Sequence, residues 1–309
     1  MIQNYHKKVE GLFWSADSAK DSFWISNDIC PKVDSALYKI IIDSQGTLLL
    51  KKNPLITDEL IILKEEYQDQ IISEIDNFWK KEEEFKKRGF VFKRGILMFG
   101  EPGVGKTALI QLVLKDFITN DGIALIGASA SSTYTALQTI RMIEPDRPIL
   151  VIIEDADQVL EQPGWLSILD GELQVNKVIY IATTNYIEKI DKRFIDRPSR
   201  FDLIIPVEAP SAKARALYLK TKEPLMPLSE IQKWTELSKG FTMAHLKELL
   251  ISVKCLGYSV EVVAKRVKAM QDRAFTNEDF RKNKTGFGFA STLPDKENID
   301  WISFEKEYF

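Results

Sequence analysis

GILMFGEPGVGKTALIQLVLKDF, residues 95–117, runs from an apolar stretch through a glycine-rich loop into a helical pattern. The loop GEPGVGKT, residues 100–107, fits G-x-x-x-x-G-K-[ST] in the strand–loop–helix context which that pattern requires. Each position answers a physical need. Gly100, Glu101, Pro102, Gly103, Val104 and Gly105 form a loop whose backbone N–H groups can curl around phosphate oxygens. Lys106 has the reach for β and γ phosphates, and Thr107 offers a hydroxyl to Mg2+. Thr107 and Ala108 open a helix whose N-terminus adds a positive field. The implied ligands are ATP and Mg2+. An ordinary glycine loop is the bland alternative, and the flanking strand and helix weigh against it.

Working outward, GILMFG, GIALIGAS, ILVIIED, VIYIATTN and DLIIPVEAP are short, nearly continuous apolar runs separated by helical stretches. Such runs belong to parallel strands covered on both faces, so the expected class is α/β, built on a five-stranded parallel sheet. Past Pro210, SAKARALYLK, LSEIQKWTELSKG, TMAHLKELLISVKCLG and SVEVVAKRVKAMQDRA each read as a helix. The expected division is an N-terminal β-containing recruitment or assembly segment over 1–57, a large α/β domain over 58–210, a helical lid over 211–275 and a tail over 276–309. In the first segment, ALYKIIIDSQGTLLLKKN reads as a hairpin turning at Ser44, Gln45 and Gly46, and as a small element separate from the sheet. Tyr67, Ile71, Ile75, Phe78 and Phe85 keep helical spacing, with Glu82/Lys86, Glu83/Lys87 and Glu84/Arg88 pairs on a solvated face. The tail lacks sustained periodicity and ends rich in aromatics, which suits docking on the protein or on a partner.

With 309 residues, 45% of them hydrophobic, the chain is long enough for a full core. A net charge of -3 argues against a uniformly basic nucleic-acid footprint, so nucleic acid is not the default partner. Cys30 and Cys255 lack metal-ligand spacing and read as free thiols rather than a disulfide or metal pair. The opening residues have no apolar signal core, and no run reaches the roughly 18 apolar residues of a membrane span. The expectation is a cytoplasmic protein, in a bacterial or infected host cytosol.

Two further stretches carry chemistry. In ILVIIEDAD, residues 149–157, an apolar run breaks into Glu154, Asp155, Ala156 and Asp157. Either carboxylate could serve Mg2+ or water. In VIYIATTN, Asn185 ends a strand, where it could hydrogen-bond the attacking water or the γ-phosphate, or simply cap the strand. Arg197 and Arg200 then sit three residues apart before the last strand, where surface charge is the usual fate of arginine.

GEPGVGKT, VIIEDAD, LSILDG, IATTN, RPSRFD and GFTMAHL occur in the order and approximate spacing of the AAA+ ATPases, and residues 60–260 resemble an AAA domain in the narrower sense. In the family the apolar run usually ends in Asp then Glu, whereas here Glu154 precedes Asp155. This exchanged pair and the approach to the loop are more similar to the branch of the mitochondrial Rieske-protein translocase, and to small phage and bacterial AAA ATPases, than to proteasomal or membrane-fusion ATPases. The resemblance implies a homo-oligomeric, usually hexameric ring, with nucleotide between subunits. It implies that Arg197 and Arg200 are arginine fingers, that Glu154 serves the metal and that Asp155 activates water. It places Ala244 and His245 near the nucleotide, although His245 could equally face solvent, and marks Thr242 as a helix cap. Ser199 replaces a usual glycine, a tolerable change unless the position needs positive φ. Tyr134 is either a pore-facing aromatic or a residue packed locally at a helix start.

The function implied is an ATP-hydrolysing ring that remodels, unfolds or translocates a protein partner. The alternatives are a nucleic-acid-linked loader or initiator, and an ATP-dependent assembly switch with low turnover.

Overall fold

The computed structural model describes residues 13–16, 20–26, 32–55, 60–63, 65–197, 199–274 and 298–309. The chain divides into two compact units: Met1–Leu60, Gln70–Phe99 and Lys106–Pro206 form the first, and Ile61–Asp69, Gly100–Gly105 and Val207–Phe309 the second.

The first unit is built on one sheet, with nine strands among the described residues. These are β1 (Phe13–Ala16), β2 (Ser22–Ser26), β3 (Leu37–Ile42), β4 (Leu48–Lys52), β5 (Lys93–Phe99), β6 (Ile123–Ile126), β7 (Ile149–Ile153), β8 (Val178–Thr184) and β9 (Leu203–Pro206). Their spatial order is β1-β2-β4-β3-β6-β7-β8-β5-β9. The five strands expected to run parallel, β6, β7, β8, β5 and β9, do so. Every residue of β7 and β8 is buried, as their unbroken apolar character requires.

The N-terminal strands depart from expectation. They do not stand apart: β3 adds in parallel to β6, and β4, β2 and β1 follow antiparallel. Without β3, the edge of β6 would present unpaired backbone groups. Trp14, Phe23, Tyr38, Ile40, Leu48 and Leu50 join the same apolar core as β7 and β8. A buried ion pair fixes the junction. Glu144 Oε1 accepts from Trp14 Nε1 at 3.1 Å and from Val33 N at 2.9 Å, while its other oxygen takes Arg147 Nη1 at 3.0 Å. Burial raises the Glu144 carboxyl above the usual range, opposed by the Val33 N–H and Arg147. The expected hairpin is present, with Ile42 opposite Leu48 and Gly46 at φ 82°. Asp43 Oδ1 fastens it by accepting from Gln45 N and Thr47 N.

Among the described residues, seven α-helices contribute to this unit: α1 (Glu66–Trp79, its later turns), α2 (Glu82–Arg88), α3 (Lys106–Thr119), α4 (Ala130–Ile143), α5 (Ala156–Val159), α6 (Trp165–Asp170) and α7 (Lys192–Ile195). Ile71, Ile75 and Phe78 of α1 are buried, and α2 buries nothing, in keeping with its charge run.

The second unit contains α8 (Ala212–Lys222), α9 (Leu228–Leu237), α10 (Met243–Leu250) and α11 (Val260–Ala274), the four helices expected after Pro210. Trp234, Phe241, Leu246, Leu249 and Val263 form its core. The aromatic end of the chain is a fifth helix, α12 (Trp301–Tyr308), capped by Asp300, and its Phe304 is buried in that core. Residues 276–297 of the expected tail, residue 275 of the expected lid, and Cys30 lie outside the described residues; Cys255 is a free, exposed thiol.

Candidate functional site

Three neighbouring strands, β7, β8 and β5, deliver their carboxyl ends to one place. Lys106, the first residue of α3, donates from Nζ to Asn185 Oδ1 at 2.7 Å, and Asn185 directly follows β8. Thr107 Oγ1 donates to Glu154 Oε1 at 3.1 Å, and Glu154 directly follows β7. The strand-end position of Asn185 is itself braced. Thr184 Oγ1 donates to the buried Asp157 at 2.6 Å and accepts from Tyr186 N at 2.9 Å, so the residues on either side of Asn185 are tied together.

Asp155 adopts left-handed backbone, φ 49° and ψ 50°, where the chain turns from β7 into α5. Its exposed carboxylate makes no hydrogen bond or ion pair among the described residues. A hydroxyl and a carboxylate are the hard oxygen donors that suit Mg2+, which commonly takes one or two protein oxygens and fills its shell with water and phosphate. Thr107 and Glu154 fit that demand. Among the described residues no group of three or more His, Cys, Asp or Glu side chains forms a metal cage.

The glycine half of the loop belongs to the second unit. Gly103, at φ 82°, accepts from Ala244 N through its carbonyl at 3.1 Å, and a Cβ at Gly103 would lie 2.7 Å from the Ala244 Cβ. Only glycine allows both the backbone turn and the close approach. Ala244 therefore touches the loop. His245 is occupied within its own helix start. With Thr242 it forms a capping box, its Nδ1 accepting from Thr242 N while Thr242 Oγ1 accepts from His245 N. Burial lowers the His245 pKa.

Arg197 and Arg200 are placed in different surroundings. Arg197 is exposed, whereas Arg200 is buried, donating to the Arg193 carbonyl and lying 3.4 Å from Asp170 Oδ2. Between them Ser199 has φ 76°, so the position does take the positive φ that glycine would favour. Left-handed backbone costs a side-chain-bearing residue roughly 1–2 kcal/mol. Ser199 Oγ donates to Asp170 Oδ1 at 2.6 Å, its N–H donates to Asp202 Oδ1 at 3.0 Å, and its carbonyl accepts from Lys93 Nζ. Burial holds the Lys93 amine below its usual pKa. A Cβ on Gly95 of β5 would fall 1.9 Å from the Arg200 carbonyl oxygen, so that strand residue must be glycine. The motif pattern gives the arginines a role and none to Lys93 or Gly95, nor to Asp170 and Asp202, although these two stand within LSILDG and RPSRFD. Gly95, a glycine inside an apolar strand, was the available signal for a close backbone approach. Tyr134 lies within α4, half-buried and packed on the core, which is the local-packing arrangement and not a loop.

Residues 96–209 match the AAA family, "ATPase family associated with various cellular activities". Protein SAV of Sulfolobus acidocaldarius is 30% identical over 188 residues, 54% of this chain and 24% of its own. The Cell division cycle protein 48 homolog of Archaeoglobus fulgidus is 26% identical over 254 residues, 72% of this chain and 34% of its own. The ATP-dependent zinc metalloprotease FtsH 2 of a Thermoanaerobacter species is 30% identical over 203 residues, covering 58% and 39%. Residues 96–209 are thus similar to an AAA domain, and the chain spans only about a quarter to two fifths of these relatives' lengths. No helix among the described residues is long and apolar enough to cross a membrane.

Proposed function

We propose that this protein is a Mg2+-dependent ATPase that works as a homo-oligomeric, hexameric ring and remodels, unfolds or translocates a protein partner. The observation that carries the reading is the convergence of Lys106 with Asn185 and of Thr107 with Glu154 at the ends of adjacent parallel strands. Lys106 and the loop N–H groups bind the β and γ phosphates, and Thr107 and Glu154 hold Mg2+, which neutralises charge on the phosphates when bound. Asn185 holds the γ-phosphate or the attacking water through a hydrogen bond. Asp155, exposed and unpaired, orients that water and accepts its proton as the oxygen attacks phosphorus and ADP leaves. The loop of Arg197 and Arg200 serves the nucleotide of a neighbouring subunit, a contribution worth about 10³ to 10⁵ in turnover in related phosphoryl transfer.

The protein-partner reading draws on the FtsH relative, described as an ATP-dependent metalloprotease, and on the missing basic footprint. The exchanged Glu154–Asp155 order supports a place beside the Rieske-protein translocase branch. The test is ATP turnover against protein concentration, with size-exclusion chromatography in ATP and the Arg197→Ala variant. Turnover should rise with assembly and vanish in the variant while nucleotide still binds. Turnover that ignores both protein concentration and Arg197 overturns the ring.

A further inference from the structure

The two arginines of the RPSR loop differ in what is left for them to do. Arg200 is turned inward within its own chain: it donates to the Arg193 carbonyl, and its buried Nε lies 3.4 Å from Asp170 Oδ2 as an ion pair without a hydrogen bond. Arg197 is exposed and makes no ion pair or hydrogen bond among the described residues. The segment joining them is held in the left-handed conformation at Ser199, which a loop retains only when its surroundings over-determine it.

Those surroundings are built for it. Asp170 ends α6, whose Trp165, Ile168 and Leu169 are buried, so the carboxylate stands on a rigid element. One of its oxygens takes the Ser199 hydroxyl and the other faces Arg200. Asp202 closes the loop from the other side, accepting from Ser199 N and from Gly95 N at 3.0 Å. Lys93 reaches from β5 to the Ser199 carbonyl.

We infer that Asp170, Ser199 and Lys93 are positioning residues for an arginine acting across the subunit boundary, with Arg197 as the residue presented and Arg200 as its anchor. The inference rests on the ring-ATPase reading. It divides the labour of the pair: Arg197 meets the neighbour's phosphate, while Arg200 acts through Asp170.

The test uses full-length Asp170→Ala and Ser199→Ala, the latter removing one hydroxyl only, beside wild type and Arg197→Ala. Both positioning variants should lose kcat, Asp170→Ala by about 10- to 100-fold, since misplacing a catalytic group by about 1 Å can cost on the order of 100-fold. The KM for ATP should stay within about twofold of wild type, because each variant keeps its own nucleotide site. Mixing Asp170→Ala subunits with Lys106→Ala subunits, which keep an intact arginine loop, should restore turnover; a merely structural defect would not be rescued. In a double-mutant cycle, Arg200→Ala with Asp170→Ala should be no worse than the more severe single variant. Additive losses, or wild-type kcat in both positioning variants while Arg197→Ala is inactive, overturn the inference and leave the ATPase reading standing. Absent turnover in wild type overturns the ATPase reading and this inference with it; full turnover in Arg197→Ala overturns the arginine's action across subunits, and so this inference, and leaves ATP hydrolysis standing.

Discussion

Gly95→Ala adds one methyl group at the point where the backbone of the arginine loop lies on β5. The new Cβ would sit 1.9 Å from the Arg200 carbonyl oxygen and 2.9 Å from its carbon, where ordinary contact begins at 3.4 Å. Restoring that distance to the oxygen takes a shift of about 1.5 Å. β5 cannot supply it, since it is hydrogen-bonded on both sides, to β8 from Lys93 to Phe99 and to β9 from Ile96 to Phe99. The loop must move. Overpacking of this kind costs about 1–3 kcal/mol, which lowers the melting temperature by roughly 2–12 °C. A displacement beyond 1 Å also takes the arginines out of register, so kcat should fall on the order of 100-fold. Binding of a fluorescent ATP analogue should be preserved, because Lys106, Thr107, Glu154 and Asn185 are untouched. Calorimetry and steady-state turnover on the same preparation give both numbers. A variant that melts and turns over like wild type refutes the close approach; one that melts lower with full kcat refutes the link between loop position and catalysis.

Asp155→Asn should bind ATP and assemble but hydrolyse very slowly, whereas Glu154→Gln should chiefly raise the Mg2+ concentration needed for activity; a Mg2+ titration of both variants giving the reverse pattern would show the two roles to be exchanged. Arg141 is wholly buried and donates to the carbonyls of Asn176 at 2.8 Å, Lys177 at 2.6 Å and Arg147 at 2.5 Å. Arg141→Met takes the donor from the Asn176 and Arg147 carbonyls, while the Lys177 carbonyl keeps the Ile149 N–H at 3.2 Å. The loss should be about 2 kcal/mol or more in urea unfolding, and a loss under about 1 kcal/mol would disprove the network's role. His245 has a folded pKa below its ordinary value of 6.5 because of burial, so the unfolded chain takes up the proton first as pH falls. Its contribution to stability is present above that value and lost as pH drops below it, and protonated Nδ1 can no longer accept from Thr242 N. Melting temperature should therefore fall more between pH 7.5 and 5.5 in wild type than in His245→Leu; equal slopes would refute this.

What could be read in the sequence is what depends on local spacing. The phosphate loop declares itself through glycines, lysine and threonine at fixed intervals, and β7 and β8 through apolar runs that only a strand covered on both faces would carry. Thr242 was legible as a cap for the same reason, since its partner is three residues away. The contacts that escaped join distant positions. Trp14 meets Glu144 across 130 positions, and no property of LYKIII says that its neighbour will be β6. Asp170 and Ser199 are 29 residues apart, on a helix end and a loop that only the sheet topology brings together. Tyr134 was ambiguous because Ser129, which caps α4 by accepting from Ser132 N, sets the helix start, and a capping serine in a serine-rich run is hard to single out.

The exchanged acids at 154 and 155 gain a physical account from the backbone rather than from their charges. At residue 155 the chain enters the left-handed region, φ 49°, to turn from β7 into α5. Asp and Asn enter that region more readily than longer side chains, because a short polar group can hydrogen-bond locally. The shorter acid therefore stands where the backbone is strained. The longer one stands at the strand end, where its extra methylene brings Oε1 to 3.1 Å from Thr107 Oγ1. Swapping them would place Glu in the strained turn and leave Asp reaching for the threonine with a shorter arm. On this account the order Glu–Asp is a consistent pair of choices: reach serves the contact with Thr107, and conformational tolerance serves the turn into α5. It follows that neither acid can be exchanged alone without losing one of the two, and that a water activated by Asp155 must lie closer to the backbone than one served by a glutamate at the same position.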